Sequence, residues 1–456
     1  TTGTNICACS TSVVCATLSD WQTASGQDAN SINFSPDFAD ISTNTALDEN
    51  GSNYASFVVP KIDAVSTDIE GHFRSDNTPM GCHAPEIKPI SVDGGSTYTY
   101  NDLAAAINYC QNQGAGNYTI KLQAGAHLDT IATLNNENIT INIVSSSSGS
   151  QRVVTRTDTK GYISVKKGTL NMTDIILDGD KENYTASHAM VHIDASNWTD
   201  TTRVNLNNCV IQNCKSSGYG GGIYVHYAIL TFVSGTNVIG GTSAGNEADR
   251  GGGMYIYGVC TVQVNEEAML KIKNNQATTG GGMRLYGGTG WNYKVFINGA
   301  TEIAENTATE GGGMYIYGAA SPFKVSGTDT LLKIYNNTAT YGGGMYNSLG
   351  FISSISSFPS IVIYNNTADY GGGIYDHSVE NANMSVTYSN LMIRNNTANY
   401  NGGGIWYKGY KDAAANYANV FANVIIKDNS AINGGGLYVD SSHIKLNGVQ
   451  IGSNHA

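Results

Sequence analysis

Charged side chains are scarce in this sequence. Only 13% of its 456 residues are Asp, Glu, Lys or Arg, and the formal net charge is −12. Lysines and arginines are scattered singly, so the basic patch that phosphate binding requires is missing and we predict no nucleic-acid partner. No apolar run approaches the roughly 18 residues that a membrane-spanning helix needs, so we predict no transmembrane segment. The chain begins at Thr1 with neither methionine nor signal peptide, and we expect a processed product.

Cysteine is also sparse. The eight cysteines are Cys7, Cys9, Cys15, Cys82, Cys110, Cys209, Cys214 and Cys260. An even count is typical of a secreted protein with a few disulfides, whose pairing the spacing leaves open. The pair Cys7 and Cys9 lacks a second cysteine pair, or a histidine pair, at zinc-binding spacing. We therefore predict no metal and no cofactor.

Glycine, by contrast, is abundant and periodic. Eight glycine triplets recur at spacings of 29 to 32 residues, beginning at Gly220, Gly251, Gly280, Gly311, Gly342, Gly371, Gly402 and Gly434. A fixed period near thirty residues indicates one supersecondary unit that is copied and stacked. At such a corner the backbone either needs positive φ or leaves no room for a β-carbon.

A period-two pattern follows each triplet. An aliphatic residue comes first, and the next position is almost always aromatic. That position holds Tyr224, Tyr255, Arg284, Tyr315, Tyr346, Tyr375, Trp406 and Tyr438. This alternation is typical of a half-buried strand. It predicts an inward aliphatic set and an exposed aromatic ladder of the seven tyrosine and tryptophan side chains. Such rings can bind sugars or pack against a partner, or they can simply reflect the strand propensity of tyrosine beneath long loops.

A second signature, Ile-x-x-Asn-x-Ala, lies upstream of most triplets. The recurring asparagines are Asn246, Asn275, Asn306, Asn337, Asn366, Asn396 and Asn429. Asparagine at one turn position per repeat can satisfy backbone groups at the bend and can bond the same residue above and below. Stacked amides of this kind favour parallel strands in register. We predict an asparagine ladder.

Together these patterns predict an all-β fold, a right-handed parallel β-helix of about twelve coils with about 30 residues per coil. We expect two regions: an irregular segment at 1–95, and the β-helix at 96–456, with irregular coils at 96–213 and regular repeats at 214–456. Asn101 is positioned to cap a short helix that ends before Gln113. Such a helix would cover the open edge of the first coil.

The two ends of the sequence suggest assembly. The chain closes on Ile451, Asn454 and Ala456, an unfinished copy of Ile-x-x-Asn-x-Ala. Ala456 followed by Thr1, Thr2 and Gly3 would resemble the internal stretch from Ala277 to Gly280. One subunit's start would then complete the next subunit's last coil by strand addition, and such a head-to-tail contact generates a filament. The open alternative is that the sequence is simply cut at this point.

The repeats resemble the polymorphic outer-membrane-protein type of β-helix. The matching units are Gly342-Gly343-Gly344-Met345 and the preceding Ile334 to Ala339, and the likeness covers roughly 205–456. It implies surface exposure and adhesion and supplies no catalytic residue. Two departures are a third glycine where that family usually has alanine, and the absence of a carboxy-terminal membrane barrel. The stretch from Trp21 to Ser31, with Asp68 to Arg74, is similar to the closing segment of bacterial surface β-helix proteins.

An enzyme of polysaccharide cleavage is the competing function. Hydrolysis needs two carboxylates that flank the scissile bond. The one dense acidic group, Asp174, Asp178, Asp180 and Glu182, reads more simply as a turn, and Asp376 and Asp440 stand alone. We therefore predict an extracellular structural or adhesive protein that is not an enzyme, with itself as head-to-tail partner and glycans as a second partner. Eleven Asn-x-Ser/Thr sequons would make it a glycoprotein in an N-glycosylating source.

Overall fold

The computed structural model describes residues 88–456 apart from 93–98, 148, 198–201, 242–243, 289–292, 319–321, 327–331, 349–350, 355–359, 378–386 and 410–418. Of residues 1–87 it describes 7–10, 13–15, 23, 38–40, 44–47, 58–60 and 77–79. The chain divides into two units, Thr1–Lys88 and Pro89–Ala456. Within the described residues, no helix is long and apolar enough to cross a membrane.

The described residues of the first unit form three antiparallel strand pairs. These are Cys7–Ser10 with Val13–Cys15, Phe38–Asp40 with Asn44–Leu47, and Val58–Pro60 with Asn77–Pro79. The second unit is a parallel β-solenoid, as the repeat predicts. It has about eight turns of about 31 residues each, fewer than the twelve coils predicted. Less regular strands precede those turns.

The strands of successive coils stack in four columns. Column 1 follows the glycine triplets and contains Ile131–Ser145 and Tyr162–Thr173 (by their first halves), Val191–Asp194, Ile223–His226, Met254–Tyr257, Met283–Tyr286, Met314–Tyr317, Met345–Ser348, Ile374–His377, Ile405–Lys408 and Leu437–Val439. Column 2 contains Gly116–Leu122, the second halves of Ile131–Ser145 and Tyr162–Thr173, Arg203–Asn207, Ile229–Ile239 (first half), Thr261–Val264, Lys294–Ile297, Pro322–Val325, Phe351–Ser354, the first halves of Thr387–Arg394 and Asn419–Lys427, and Ile444–Asn447.

Column 3 contains His127–Leu128, Arg152–Arg156, Ile175–Asp178, Val210–Gln212, the second half of Ile229–Ile239, Ala268–Lys273, Thr301–Ala304, Leu332–Tyr335, Ile361–Tyr364, the second halves of Thr387–Arg394 and Asn419–Lys427, and Gln450–Gly452. Column 4 contains Glu247–Arg250, Gln276–Thr279, Thr307–Glu310, Thr338–Tyr341, Thr367–Tyr370 and Thr397–Asn401. Strand Ile90–Val92 pairs antiparallel with Gly116–Leu122.

In the strand after a triplet, the aliphatic side chains point into the coils and the aromatic ones point outward, as predicted. Met254 and Ile256 belong to the continuous apolar core inside the coils, whereas Tyr255 and Tyr257 lie on the opposite face of the same strand. A period of two places alternate side chains on opposite faces of a sheet. The outer face of column 1 is therefore the aromatic surface of the solenoid.

Two left-handed backbone positions turn each regular coil around column 4. One is the residue before the ladder asparagine, for example Asn336 at φ 54°, and the other is the first glycine of the triplet, for example Gly342 at φ 70°. The second glycine is required by close approach. A β-carbon on Gly312 would lie 2.6 Å from the carbonyl oxygen of Gly343 in the next coil. Coils stacked this closely leave no space for a side chain there.

The predicted helix exists, but its cap is different. The helix runs over Leu103–Gln113, and its N-cap is Asp102 and not Asn101. Asp102 has the extended backbone of a cap, and its carboxylate accepts from the N–H groups of Ala104 (3.2 Å) and Ala105 (3.3 Å). One carboxylate therefore satisfies two of the orphan donors of the first turn. The helix buries Leu103 and Ile107 in the solenoid core.

The predicted disulfides do not form in the solenoid coils. Cys209, Cys214 and Cys260 are buried thiols without a disulfide partner, and the first two flank the same strand, Val210–Gln212. The Sγ of Cys214 donates to the backbone carbonyl of Gln212 at 2.9 Å. These cysteines act as small core residues.

Candidate functional site

The predicted aromatic ladder lies in register on the outer face of column 1, but much of it is not exposed. Tyr255 keeps only 2% of its surface accessible, and Tyr224, Tyr315 and Trp406 are also buried. The exposure predicted for these four side chains is wrong because ladder side chains of neighbouring coils cover one another, Arg284 among them. Ring centroids of Tyr315 and Tyr346 are 4.8 Å apart. Within the same ladder, Tyr346, Tyr375 and Tyr438 are half-buried.

A second line of rings stands two residues further along the strand in four successive coils. His226, Tyr257, Tyr286 and Tyr317 form this second line, here called the outer ring row, and all four are half-buried. Successive centroids are separated by 4.8 Å, 5.7 Å and 4.8 Å. Because Tyr257, Tyr286 and Tyr317 stack on one another, the outer ring row offers ring edges and hydroxyls to solvent, one side chain per coil.

A pocket of about 290 Å³ opens beside the outer ring row. It is lined by Tyr219, Tyr224, Arg250, Tyr255, Tyr257 and Tyr286. Strand residues supply four of the rings, and the glycine corner brings in the other two side chains. Tyr219 and Arg250 immediately precede the first glycines of their triplets and form a backbone bridge with each other. The corner thus folds a fifth ring and a cation against the sheet face.

Two guanidinium groups lie at this pocket. Arg250 projects from the rim, with its Cζ 5.1 Å from the centroid of the Tyr219 ring. Arg284 occupies the ladder position that holds tyrosine or tryptophan in the other repeats, and it is only 6% exposed. Its Cζ lies 5.7 Å from the centroid of Tyr255 and 5.6 Å from that of Tyr286. Both cations face aromatic rings, an arrangement that the ring quadrupole favours.

A histidine cluster adjoins the pocket in the preceding coil. His192 is in register with Tyr224 and stacks on it at a centroid distance of 4.6 Å. Asp194 Oδ1 lies 2.9 Å from His226 Nδ1. Burial, with the neighbouring His188, lowers the pKa of His192 to about 4, although Asp194 opposes the shift. His192 is therefore neutral at neutral pH. Its Nδ1 is buried and has no hydrogen-bond partner.

Sequence reasoning missed His192, Asp194, Tyr219 and Arg250. His192 and Asp194 precede the first triplet, where the spacing of the coils is irregular, so the repeat does not align them with the ladder. The sequence did contain a signal for Tyr219 and Arg250. Tyr219 and Arg250 occupy the same position, one residue before a triplet, as Tyr341 and Tyr370.

The asparagine ladder is structural and lies away from the pocket, at the corner between columns 3 and 4. Its seven members are buried. Each backbone N–H donates to the side-chain oxygen of the next asparagine, as from Asn306 to Asn337 at 2.9 Å. The side-chain nitrogen reaches back to the preceding coil, as from Asn337 to the carbonyl of Ile303 at 2.9 Å. Stacked coils are thereby held in register.

The residues of the predicted assembly seam fall into two groups. Thr1, Thr2 and Gly3 lie outside the described residues. At the other end, Asn454 continues the ladder by accepting from the backbone N–H and the side-chain nitrogen of Asn429, both at 3.0 Å. Ile451 and Ala456 are exposed.

Two of the acidic residues considered for catalysis, Asp178 and Asp376, make hydrogen bonds that stabilise the fold. Asp178 accepts from the backbone N–H of Asp180 (3.0 Å) and from the side chain of Asn213 (2.8 Å), as expected of a turn. Asp376 is buried among core residues and accepts from the Tyr388 hydroxyl at 2.5 Å. Among the described residues, no group of three or more His, Cys, Asp or Glu side chains is arranged to hold a metal ion.

No protein-family profile and no curated protein sequence matches this chain. Among solved structures, it is similar to the A-module of the mannuronan C-5 epimerase AlgE6 of Azotobacter vinelandii. The identity is 14%, the TM-score is 0.35, and the match covers 77% of this chain and 90% of that module. A likeness this distant carries no argument about function.

Proposed function

We propose that this chain is an extracellular structural and adhesive β-solenoid that binds polysaccharide through the outer ring row and the adjoining pocket. The observation that carries the proposal is the pocket itself, in which five tyrosine rings and one arginine converge on about 290 Å³. Aromatic faces bind the apolar faces of sugar rings, and tyrosine hydroxyls and guanidinium N–H groups supply the polar contacts that fix orientation.

The geometry of the outer ring row supports an extended chain as ligand. Its rings recur at 4.8–5.7 Å along the stacking direction of the coils. This repeat is comparable with the length of one pyranose residue. A linear glycan laid along His226, Tyr257, Tyr286 and Tyr317 would meet one ring per sugar. Several weak contacts to ring edges and hydroxyls then add along one ligand.

The experiment is a glycan array with the purified full chain, followed by calorimetric titration of the best ligand. The double variant Tyr257→Ala and Tyr286→Ala is expected to weaken binding at least tenfold. The matched control is Tyr335→Ala and Tyr364→Ala, which removes a stacked pair of column 3 (centroids 5.0 Å apart) on another face. The absence of binding to any glycan would overturn the proposal, as would an equal loss in both double variants.

Cleavage of the bound polysaccharide is the competing activity, and non-enzymatic binding remains our proposal. Incubation of the chain with the array ligands, followed by assay of new reducing ends and of unsaturated products, distinguishes the two. An unchanged polymer after prolonged incubation supports a binding protein. New chain ends that disappear with the Tyr257→Ala, Tyr286→Ala variant would make the chain an enzyme.

Head-to-tail assembly is a second candidate function, and the last described coil motivates it. Leu446 and Ile451 are 48% and 49% exposed there, whereas their counterparts one coil earlier, Phe421 and Ile426, are fully buried. We propose a second copy of this chain as the occupant, on the match of Thr1 to Gly3 with Thr278 to Gly280. Electron microscopy at several concentrations tests it: filaments with an axial repeat of one subunit support assembly, and single rods at all concentrations contradict it.

A further inference from the structure

The aromatic pocket contains one charged side chain whose donors are available to a ligand. Arg250 lies over the Tyr219 ring, and its Nε lies 3.4 Å from Oδ2 of the neighbouring Asp249. Among the described residues, its two terminal nitrogens have no hydrogen-bond partner. The N–H donors of a guanidinium lie in the plane of the group, along its edge. That edge is the part that binds carboxylate or sulfate oxygens in pairs.

A second positive charge lies behind the pocket wall. Arg284 is buried, and its Cζ lies 4.4 Å from the centroid of Tyr315. One terminal nitrogen donates to the hydroxyl of Thr279, but its Nε is buried with no hydrogen-bond partner. Among the described residues no carboxylate lies within ion-pair distance of this guanidinium. Glu310, whose pKa is raised by burial and lowered in part by Arg284, is a more distant counter-charge.

Burying the Arg284 guanidinium costs free energy, and a bound anion in the pocket would offset that cost. A buried cation loses the free energy of its hydration, and attraction to aromatic rings offsets only part of that loss. Other repeats place tyrosine or tryptophan at this position, which would continue the stack without any such loss. Its charge is adjacent to two rings that line the pocket, Tyr255 and Tyr286. An anion bound in the pocket against the edges and hydroxyls of those rings would be attracted by both guanidinium groups in a partly desolvated site, as both act on Tyr255.

We infer that the glycan bound in this pocket carries an anionic group, a carboxylate or a sulfate, that pairs with Arg250 and is stabilised from behind by Arg284. The inference rests on the proposed function, since it names the ligand class of the same site. It also explains how a chain of net charge −12 accepts an acidic polymer, because the two cations create a local field opposite to that of the whole molecule.

The test compares the affinities of the full chain for a polyuronate, a sulfated polysaccharide and an uncharged β-linked glucan, at low and at moderate salt. We expect at least tenfold tighter binding of one anionic polymer than of the glucan, with an affinity that falls as salt rises. The Arg250→Gln variant should remove that preference. The matched control is Arg394→Gln, because Arg394 also lies over a ring, 5.0 Å from the Tyr364 centroid, but on column 3.

The outcomes separate the two proposals. Which of the two anionic polymers binds more tightly identifies carboxylate or sulfate as the group. Equal affinity of wild type and Arg250→Gln for anionic polymers would overturn the inference. If that equality accompanies binding that still requires Tyr257 and Tyr286, glycan binding stands and only the anionic specificity fails. If none of the polymers binds, the proposed function itself is contradicted.

Discussion

The side-chain oxygen of Asn306 accepts two hydrogen bonds from Asn275, one from its backbone N–H and one from its side-chain nitrogen, both at 3.0 Å. The Asn306 side-chain nitrogen also donates to the carbonyl of Ile272 at 3.0 Å. One buried amide therefore satisfies two donors and one acceptor of the coil before it. This unit recurs along the regular repeats and holds their coils together.

Asn306→Ala is expected to destabilise the chain strongly. The change leaves two buried donors and one buried acceptor without partners, at a cost of roughly 2–4 kcal/mol. Chemical denaturation followed by circular dichroism measures it. The control is Asn399→Ala, because Asn399 bonds Asp369 at 2.8 Å on an exposed surface. A loss at Asn306 no larger than at Asn399 would show that the ladder contributes little to stability.

The second glycine of the triplets is predicted to be irreplaceable. In Gly312→Ala the new β-carbon would meet the carbonyl oxygens of Gly343 and Thr338, both 2.6 Å away. The stacked coils must separate, at a cost of about 1–3 kcal/mol or more. Gly288→Ala is the control, since nothing lies within 4 Å of its added carbon. Equal melting temperatures for the two variants would be inconsistent with coils packed this closely.

The free energy of unfolding is predicted to decrease as the pH is lowered from 6.5 toward 4, because of His192. Its pKa is about 4 in the folded chain against 6.5 for an ordinary histidine. Between those values the unfolded chain binds a proton that the folded chain does not, so stability is complete above pH 6.5 and declines toward pH 4. The loss amounts to about 3 kcal/mol over that range.

Denaturant titrations at pH 7 and pH 4.5 measure this effect. His192→Tyr, which continues the ring stack with Tyr224, should reduce the difference between the two pH values. His443→Gln removes an exposed histidine and should leave the difference as in the wild type. If His192→Tyr shows the same loss of unfolding free energy between pH 7 and pH 4.5 as the wild type, a group other than His192 causes that loss.

The solenoid cysteines are predicted to be unreactive in the folded state. Burial raises the pKa of Cys209 to about 11 and that of Cys214 to about 12, so little thiolate forms at pH 8. A chromogenic disulfide reagent should label Cys209, Cys214 and Cys260 only after denaturation. Rapid labelling of these three thiols in the native chain would contradict their placement in the core.

Much of the solenoid could be predicted from periodicity alone, because stacking repeats one local geometry. The inward Met254, the ladder position of Asn306 and the glycine corner at Gly311 follow from it. The accessibility of Tyr255 could not be predicted, since it depends on the side chains of Tyr224 and Arg284 in the neighbouring coils. The pocket could not be predicted from the sequence either. Tyr219 and Arg250 reach it only through the corner geometry, and His192 aligns with Tyr224 across coils of unequal length.

The most direct measurement is a crystal structure of the chain with its best-binding oligosaccharide. We predict sugar rings against the outward edges and hydroxyls of Tyr257 and Tyr286, with an anionic substituent within hydrogen-bond distance of the Arg250 guanidinium. Sugar bound on another face of the solenoid, with the outer ring row and its pocket empty, would contradict the assignment of this site.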